Sequence, residues 1–299
     1  LRREPRLLRL LIGAAISGAG DWCYGVVLVV WITGRTDASP AWIAVATVGR
    51  LLPYALAAPI GGAIADRFDG RRVLVVSSLA RAVLLLGLAA TVANHGSLVI
   101  GLLLVVVAEG VGAAHRPTVL SVIPALVGER EAATANATFG GLMQLSLLAG
   151  PALAAAGLAV MSRGQLLVVV AMAFLLSAAL VPPLVRTQVD GAESRGSILG
   201  SIVEGIRGLA QSPGAPAILA LVAVSEFVFG AEGVAQVLIA ADRLGRPASV
   251  GILVAAVGLG GLIAAPFVPR LAERPRLVVP FVLANLLGAI PLKIGRAHV

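Results

Sequence analysis

Gly61-Gly62-Ala63-Ile64-Ala65-Asp66-Arg67-Phe68-Asp69-Gly70-Arg71-Arg72 sets five charged side chains within seven residues, between two long and largely apolar stretches. A membrane-crossing helix takes about 20 mostly apolar residues, and residues 42–65 and 72–93 both meet that length. The segment therefore reads as a tight polar loop between two membrane-spanning helices. Gly62 is expected to let two helices approach closely, because a residue with no side chain leaves room for a neighbour's backbone. Asp66 falls at a helix carboxyl end, where the macrodipole disfavours an anion. It is expected to take a cationic partner from Arg67, Arg71, Arg72 or Arg116. The alternative reading is that these charges are only topogenic anchors in a solvated loop.

Working outward, nine stretches have spanning length: 7–33, 42–65, 72–93, 97–119, 133–158, 163–185, 214–237, 247–269 and 277–295. The one long polar interruption runs from Arg186 to Pro213. It holds an amphipathic run, Ile198 to Leu209, which is expected to lie along the membrane surface. The chain divides accordingly into a six-helix half (1–185), a middle loop (186–213) and a partial second half (214–293). Composition agrees with an all-α polytopic membrane protein: 59% of residues are hydrophobic and 13% charged, and the mean hydropathy is +0.99. Aromatics make up 4%, so the apolar content is mainly Ala, Val, Leu and Gly, small side chains that permit close helix packing in lipid.

The formal charge of +8 does not point to nucleic acid, because the arginines stand between apolar stretches rather than on one face. Counted in alternate loops, Arg2, Arg3, Arg6, Arg9, Arg67, Arg71, Arg72, Arg116, Arg130, Arg186, Arg195, Arg207, Arg270, Arg274 and Arg276 share one side. The other side has Arg35, Arg163, Arg243 and Arg246. Positive residues are retained in the cytoplasm, so the amino terminus and the middle loop are expected there, in a bacterial inner membrane. The single cysteine, Cys23, excludes an internal disulfide, and no Cys/His cluster has metal-ligand spacing. Neither metal nor cofactor is expected.

The quoted loop resembles the signature loop of the major facilitator superfamily, in which a Gly leads to Asp-Arg and then to a basic pair. Asp69 stands where a Gly is usual, a departure shared by the drug and siderophore exporter branch. Three further steps resemble that branch: His115-Arg116-Pro117; Ile123-Pro124-Ala125-Leu126-Val127; and Thr134-Ala135-Asn136-Ala137-Thr138. Gly150-Pro151 looks like the centre of the fifth-helix motif of proton-driven antiporters, with Ala154, Ala155 and Ala156 where glycines are common. Structurally, a Gly-Pro pair also kinks a helix. The resemblance extends from Gly20-Asp21-Trp22 loosely through the ninth stretch. It implies the major facilitator fold, with about nine of its twelve helices present, each six-helix half being two inverted three-helix repeats. A short internal echo, Arg72-Val73-Leu74-Val75 against Arg276-Leu277-Val278-Val279, is consistent with two halves.

Ionisable residues inside a membrane are costly, and are functional candidates for that reason. Asp21, Glu109 and Glu226 fall near the centres of the first, fourth and seventh stretches, at one depth. The resemblance would set all three around one central water-filled path. Burial disfavours the charged form of a carboxyl group, which suits a group that holds a proton on one side of the membrane and releases it on the other. Arg50 and Arg81 also lie within the membrane, and either could neutralise one of the acids; an acid so paired would be structural.

The function expected is secondary transport, with a small-molecule substrate, protons and the lipid bilayer as partners and a monomer as the working unit. The resemblance points to efflux of drugs, macrolides or siderophores. An importer, a transport-dead sensor and a lipid transporter are the alternatives. Enzymatic function is disfavoured: only His95, His115 and His298 occur, with no H-E-x-x-H pair, G-x-S-x-G elbow or phosphate-binding loop. The final Ile294-Gly295-Arg296-Ala297-His298-Val299 is what a common sequencing-library adapter encodes from its third nucleotide. Residues 294–299 are accordingly read as an artefact and the chain as truncated within its last helices.

Overall fold

The computed structural model describes residues 4–35, 40–183, 198–212 and 214–242, with isolated helical positions between 253 and 263. Among these residues all regular structure is helical: α1 (Pro5–Thr33), α2 (Pro40–Arg67), α3 (Gly70–Ala93), α4 (Leu98–Gly112), α5 (His115–Val127), α6 (Glu129–Val160), α7 (Arg163–Leu180), α8 (Ile198–Gln211) and α9 (Ala215–Asp242). The expected ninth span, most of the eighth, residues 186–197 of the middle loop and residues 294–299 lie outside the described residues.

Side chains that satisfy the first free amides set where several helices begin. Asp69 accepts from the Arg72 amide at 2.9 Å and starts α3. Ser97 accepts from the Val99 amide at 3.2 Å and starts α4. Ser162 and Gln165 form a reciprocal capping box at α7, with bonds of 3.3 and 2.9 Å.

The fourth and fifth spans differ from their expected limits. Helix continues through residues 120–127 and resumes at Glu129, so the connection read there shrinks to Gly128, whose φ of 77° suits glycine alone at little cost. A second interruption, inside the stretch expected as one span, falls earlier, at Ala113-Ala114, between α4 and α5. Pro117 explains it: proline has no N–H to give to the Ala113 carbonyl and its ring crowds that carbonyl, whereas in the first turn of a new helix neither matters.

α1 is the central helix and lies against both α6 and α7; α3 lies against α7 and α4, and α2 against α4. Polarity is distributed inside out relative to a water-soluble domain. Leu56, Val76, Val83, Leu103 and Met172 face outward, whereas Ser17, Ser78, Arg81, Glu109, Thr118, Ser146 and Ser177 are buried. An apolar exterior over a core with polar seams is what a lipid solvent selects. Among the described residues five spans, Pro5–Thr33, Gly70–Ala93, Leu98–Val127, Arg130–Val160 and Arg163–Leu180, are long and apolar enough to cross a membrane. α2 and α9 contribute shorter apolar runs, Ala41–Pro53 and Ala215–Ser225.

Gly62 does not make the close contact expected of it: a side chain added there would meet nothing within 4 Å among the described residues. Gly61 does so instead. A Cβ on Gly61 would stand 2.7 Å from the Ala113 carbonyl oxygen and 2.9 Å from the Ala114 Cα, so the end of α2 rests on the α4–α5 interruption. One residue along a helix rotates the side-chain direction by about 100°, enough to separate the two glycines' roles. The amphipathic run is helical, as α8, and touches α2 and α9.

Candidate functional site

Two apolar clusters occupy the two ends of the bundle. One gathers Tyr24, Leu28, Trp31, Leu85, Val105 and Phe174; the other gathers Leu7, Leu11, Leu74, Ile123 and Phe139. Along α1, α3 and α4–α5 the ionisable residues fall between these clusters, so the charges sit at the middle depth.

Four helices supply one charge each. Asp21 of α1 is bonded by both terminal nitrogens of Arg81 of α3, Nη2 to Oδ1 and Nη1 to Oδ2, the latter at 3.2 Å. Glu109 of α4 receives Arg50 Nε from α2 at 2.9 Å and, on the same oxygen, the hydroxyl of Tyr24. Arg50 reaches further, its Nη2 donating to the Asp21 main-chain carbonyl at 3.2 Å. The sequence reading allowed an arginine to neutralise one acid; the structure pairs both, and the quartet carries no net charge.

Each guanidinium has a shaped seat. Arg50 lies 4.7 Å over the Tyr24 ring, and Arg81 lies 4.4 Å over the ring of Phe174 in α7. Cation–aromatic stacking of this kind strengthens away from water. Gly25 clears the space Arg50 Nη1 fills, and a Cβ on Gly112 would come within 3.1 Å of the Arg81 Cζ. Arg81 Nε is buried and finds no hydrogen-bond partner among the described residues.

The two pairs differ in access. The Asp21 side chain is 30% exposed and that of Glu109 10%, while Arg50 is 25% exposed and Arg81 5%. Asp21 is thus the more open of the two acids, whereas Glu109 is enclosed by the two groups that hold it, Arg50 and Tyr24.

Gly150 backs the turn of α1 that carries Asp21. A Cβ there would stand 2.5 Å from the Ala19 carbonyl oxygen and the Trp22 Cβ, and 3.0 Å from the Cys23 amide. Four residues earlier, Ser146 Oγ donates to the Ala15 carbonyl at 2.9 Å. Helix α6 runs unbroken through Pro151.

Among the other predicted residues, Asp69 caps α3, and Arg71, Arg72 and Arg116 are exposed. The side chains of Asp66 and Glu226 lie outside the described residues; Arg67 does engage a partner. Glu226 belongs to α9, which meets α2 where Gly230 faces Leu51. Sequence reasoning missed Tyr24, Phe174, Gly25 and Gly112. Tyr24 was within reach, since it follows Asp21 by three residues and so shares its helix face.

Comparison with known proteins agrees with this architecture. The chain is 30% identical over 81 residues to the uncharacterized MFS-type transporter YfiS of Bacillus subtilis (strain 168), a match to 27% of this chain and 19% of YfiS. It is 26% identical over 278 residues to the multidrug efflux pump Tap of Mycolicibacterium fortuitum, covering 88% of this chain and 66% of Tap. The chain thus spans less than two thirds of either relative. The Major Facilitator Superfamily profile matches residues 10–293. With its long apolar helices, its outward-facing hydrophobic surface and that match, the chain belongs to the Major Facilitator Superfamily of multi-pass membrane transporters.

Proposed function

We propose that this is a proton-coupled efflux antiporter of the bacterial inner membrane, with its amino terminus cytoplasmic, and that Asp21 is the group at which proton and substrate exchange. The observation that carries the reading is the half-open Asp21–Arg81 pair at mid-depth. A carboxylate has three mutually exclusive states here. It can bond Arg81, take a proton, or bond a cationic group of a substrate, and each displaces the others. Exclusive occupancy of one site is the requirement for exchange, because the proton can bind only after the substrate has gone. Glu109 is held by Tyr24 and Arg50 and serves as scaffold rather than carrier.

Similarity to a multidrug efflux pump supports efflux as the direction and drugs as the cargo; macrolides and siderophores enter only through the exporter-like motifs of the sequence. The energy source is then an ion gradient, and the chemistry is binding and release with no bond made or broken. An exporter-deficient bacterium expressing the complete protein tests this on a panel of toxic compounds. Resistance to at least one compound, lost on Asp21→Asn, is expected. Resistance that survives the substitution removes Asp21 from the mechanism.

A further inference from the structure

We infer that Arg50 is a positioning residue for Asp21, through which Glu109 and Tyr24 fix the main chain of α1 at the exchange site. This rests on the reading of Asp21 given above, and deepens it by assigning separate tasks to the two acid–arginine pairs.

Arg50 is the one described side chain that touches both pairs. Its Nε is held by Glu109 at 2.9 Å, and its Nη2 holds the Asp21 carbonyl at 3.2 Å. That carbonyl belongs to the helix backbone, so the bond acts on the position of the whole turn rather than on the carboxylate's charge. Tyr24 closes the arrangement from the same helix, giving its hydroxyl to Glu109 and its ring face to Arg50. Gly25 completes the seat by having no side chain where Nη1 lies. From behind, Gly150 of α6 presses on the same turn at Ala19, Trp22 and Cys23. The Asp21 turn is thus clamped between α2 and α6, and its carboxylate is left to Arg81.

A guanidinium suits this task and an ammonium does not. A planar fork presents Nε and Nη2 in fixed directions to two acceptors, whereas a single nitrogen on a flexible stem serves one of them well. Arg50→Lys therefore keeps the charge opposite Glu109 and loses the hold on α1.

Two measurements on the complete protein test this. The first is maleimide labelling of Cys23, the single cysteine of these 299 residues, buried two residues beyond Asp21 and read at its own peptide by mass spectrometry. Arg50→Lys and Tyr24→Phe should each raise the labelling rate roughly tenfold, the scale of one lost charge-assisted hydrogen bond. The second is the pH profile of substrate exchange in liposomes. Arg50→Lys should move its midpoint by about half a pH unit. A residue that merely stabilised the fold would lower the rate equally at every pH. Labelling at the wild-type rate in both variants, or an unmoved midpoint where wild-type exchange does depend on pH, overturns the inference. If wild-type exchange ignores pH while Cys23 labelling rises as stated, the proton reading fails and the positioning stands.

Discussion

Gly61→Ala and Gly62→Ala, made as a pair, separate two adjacent glycines of the signature loop that the sequence alone cannot tell apart. Both replace glycine by the best helix former within α2, which stabilises a helix by about 1 kcal/mol. At Gly62 nothing opposes that gain among the described residues. At Gly61 the new carbon would stand 2.7 Å from the Ala113 oxygen, 2.8 Å from the Ala113 carbonyl carbon and 2.9 Å from the Ala114 Cα, against ordinary contacts beginning at 3.4 Å. All three obstacles are backbone, so no rotamer relieves the clash and α2 must move off the α4–α5 interruption. Overpacking of this kind costs roughly 1–3 kcal/mol. The shared propensity gain cancels between the variants, leaving Gly61→Ala less stable than Gly62→Ala by about that amount. Denaturant unfolding in one detergent, followed by circular dichroism, reads the difference directly. Coincident midpoints, or a less stable Gly62→Ala, would refute the assignment of the helix crossing to Gly61.

Three further outcomes follow from single contacts. Asp69→Ala removes the acceptor for the Arg72 amide and should lower stability by about 1 kcal/mol, whereas Asp69→Asn, which can also cap, should cost far less; thermal unfolding separates them. Gly150→Ala forces a carbon to 2.5 Å from Ala19 and Trp22, and should lower stability by roughly 1–3 kcal/mol while raising Cys23 labelling, measured with the same maleimide. Arg81→Gln leaves Asp21 without its partner, Asp21→Asn leaves the buried Arg81 without its own, and breaking a pair that is enclosed on one side only costs roughly 1–3 kcal/mol, below the range of a fully buried one. The double variant should recover most of that loss in an unfolding titration.

Much of the fold was legible because a lipid solvent imposes a strong rule on sequence. Helices α1, α3, α6 and α7 announce themselves by length and apolarity, with the polar loops between them. The fourth and fifth spans were drawn too short because Glu129, Arg130 and Glu131 look like loop in a hydropathy reading, and the break that Pro117 makes at Ala113-Ala114 lies inside a stretch, 97–119, that reads as one apolar span. The site was legible as a set of residue types and depths: Asp21, Arg50, Arg81 and Glu109 each stand out as charges within spans. Which acid meets which arginine was not, since pairing depends on the rotation of four helices about their axes. Hydropathy carries little of that information. The small residues that seat the arginines, Gly25 and Gly112, are invisible for the same reason, being two among 35 glycines.

The most direct test of the transport mechanism is proton movement in liposomes holding the complete protein and a pH-sensitive dye inside. Adding a compound to which the protein confers resistance should drive protons in the direction opposite to the compound, at a rate that grows with the imposed pH gradient. The Asp21→Asn, Arg81→Gln double variant, charge-balanced and folded, should move no protons. Wild-type flux that is indifferent to the pH gradient, or proton movement retained in the double variant, would contradict exchange at Asp21.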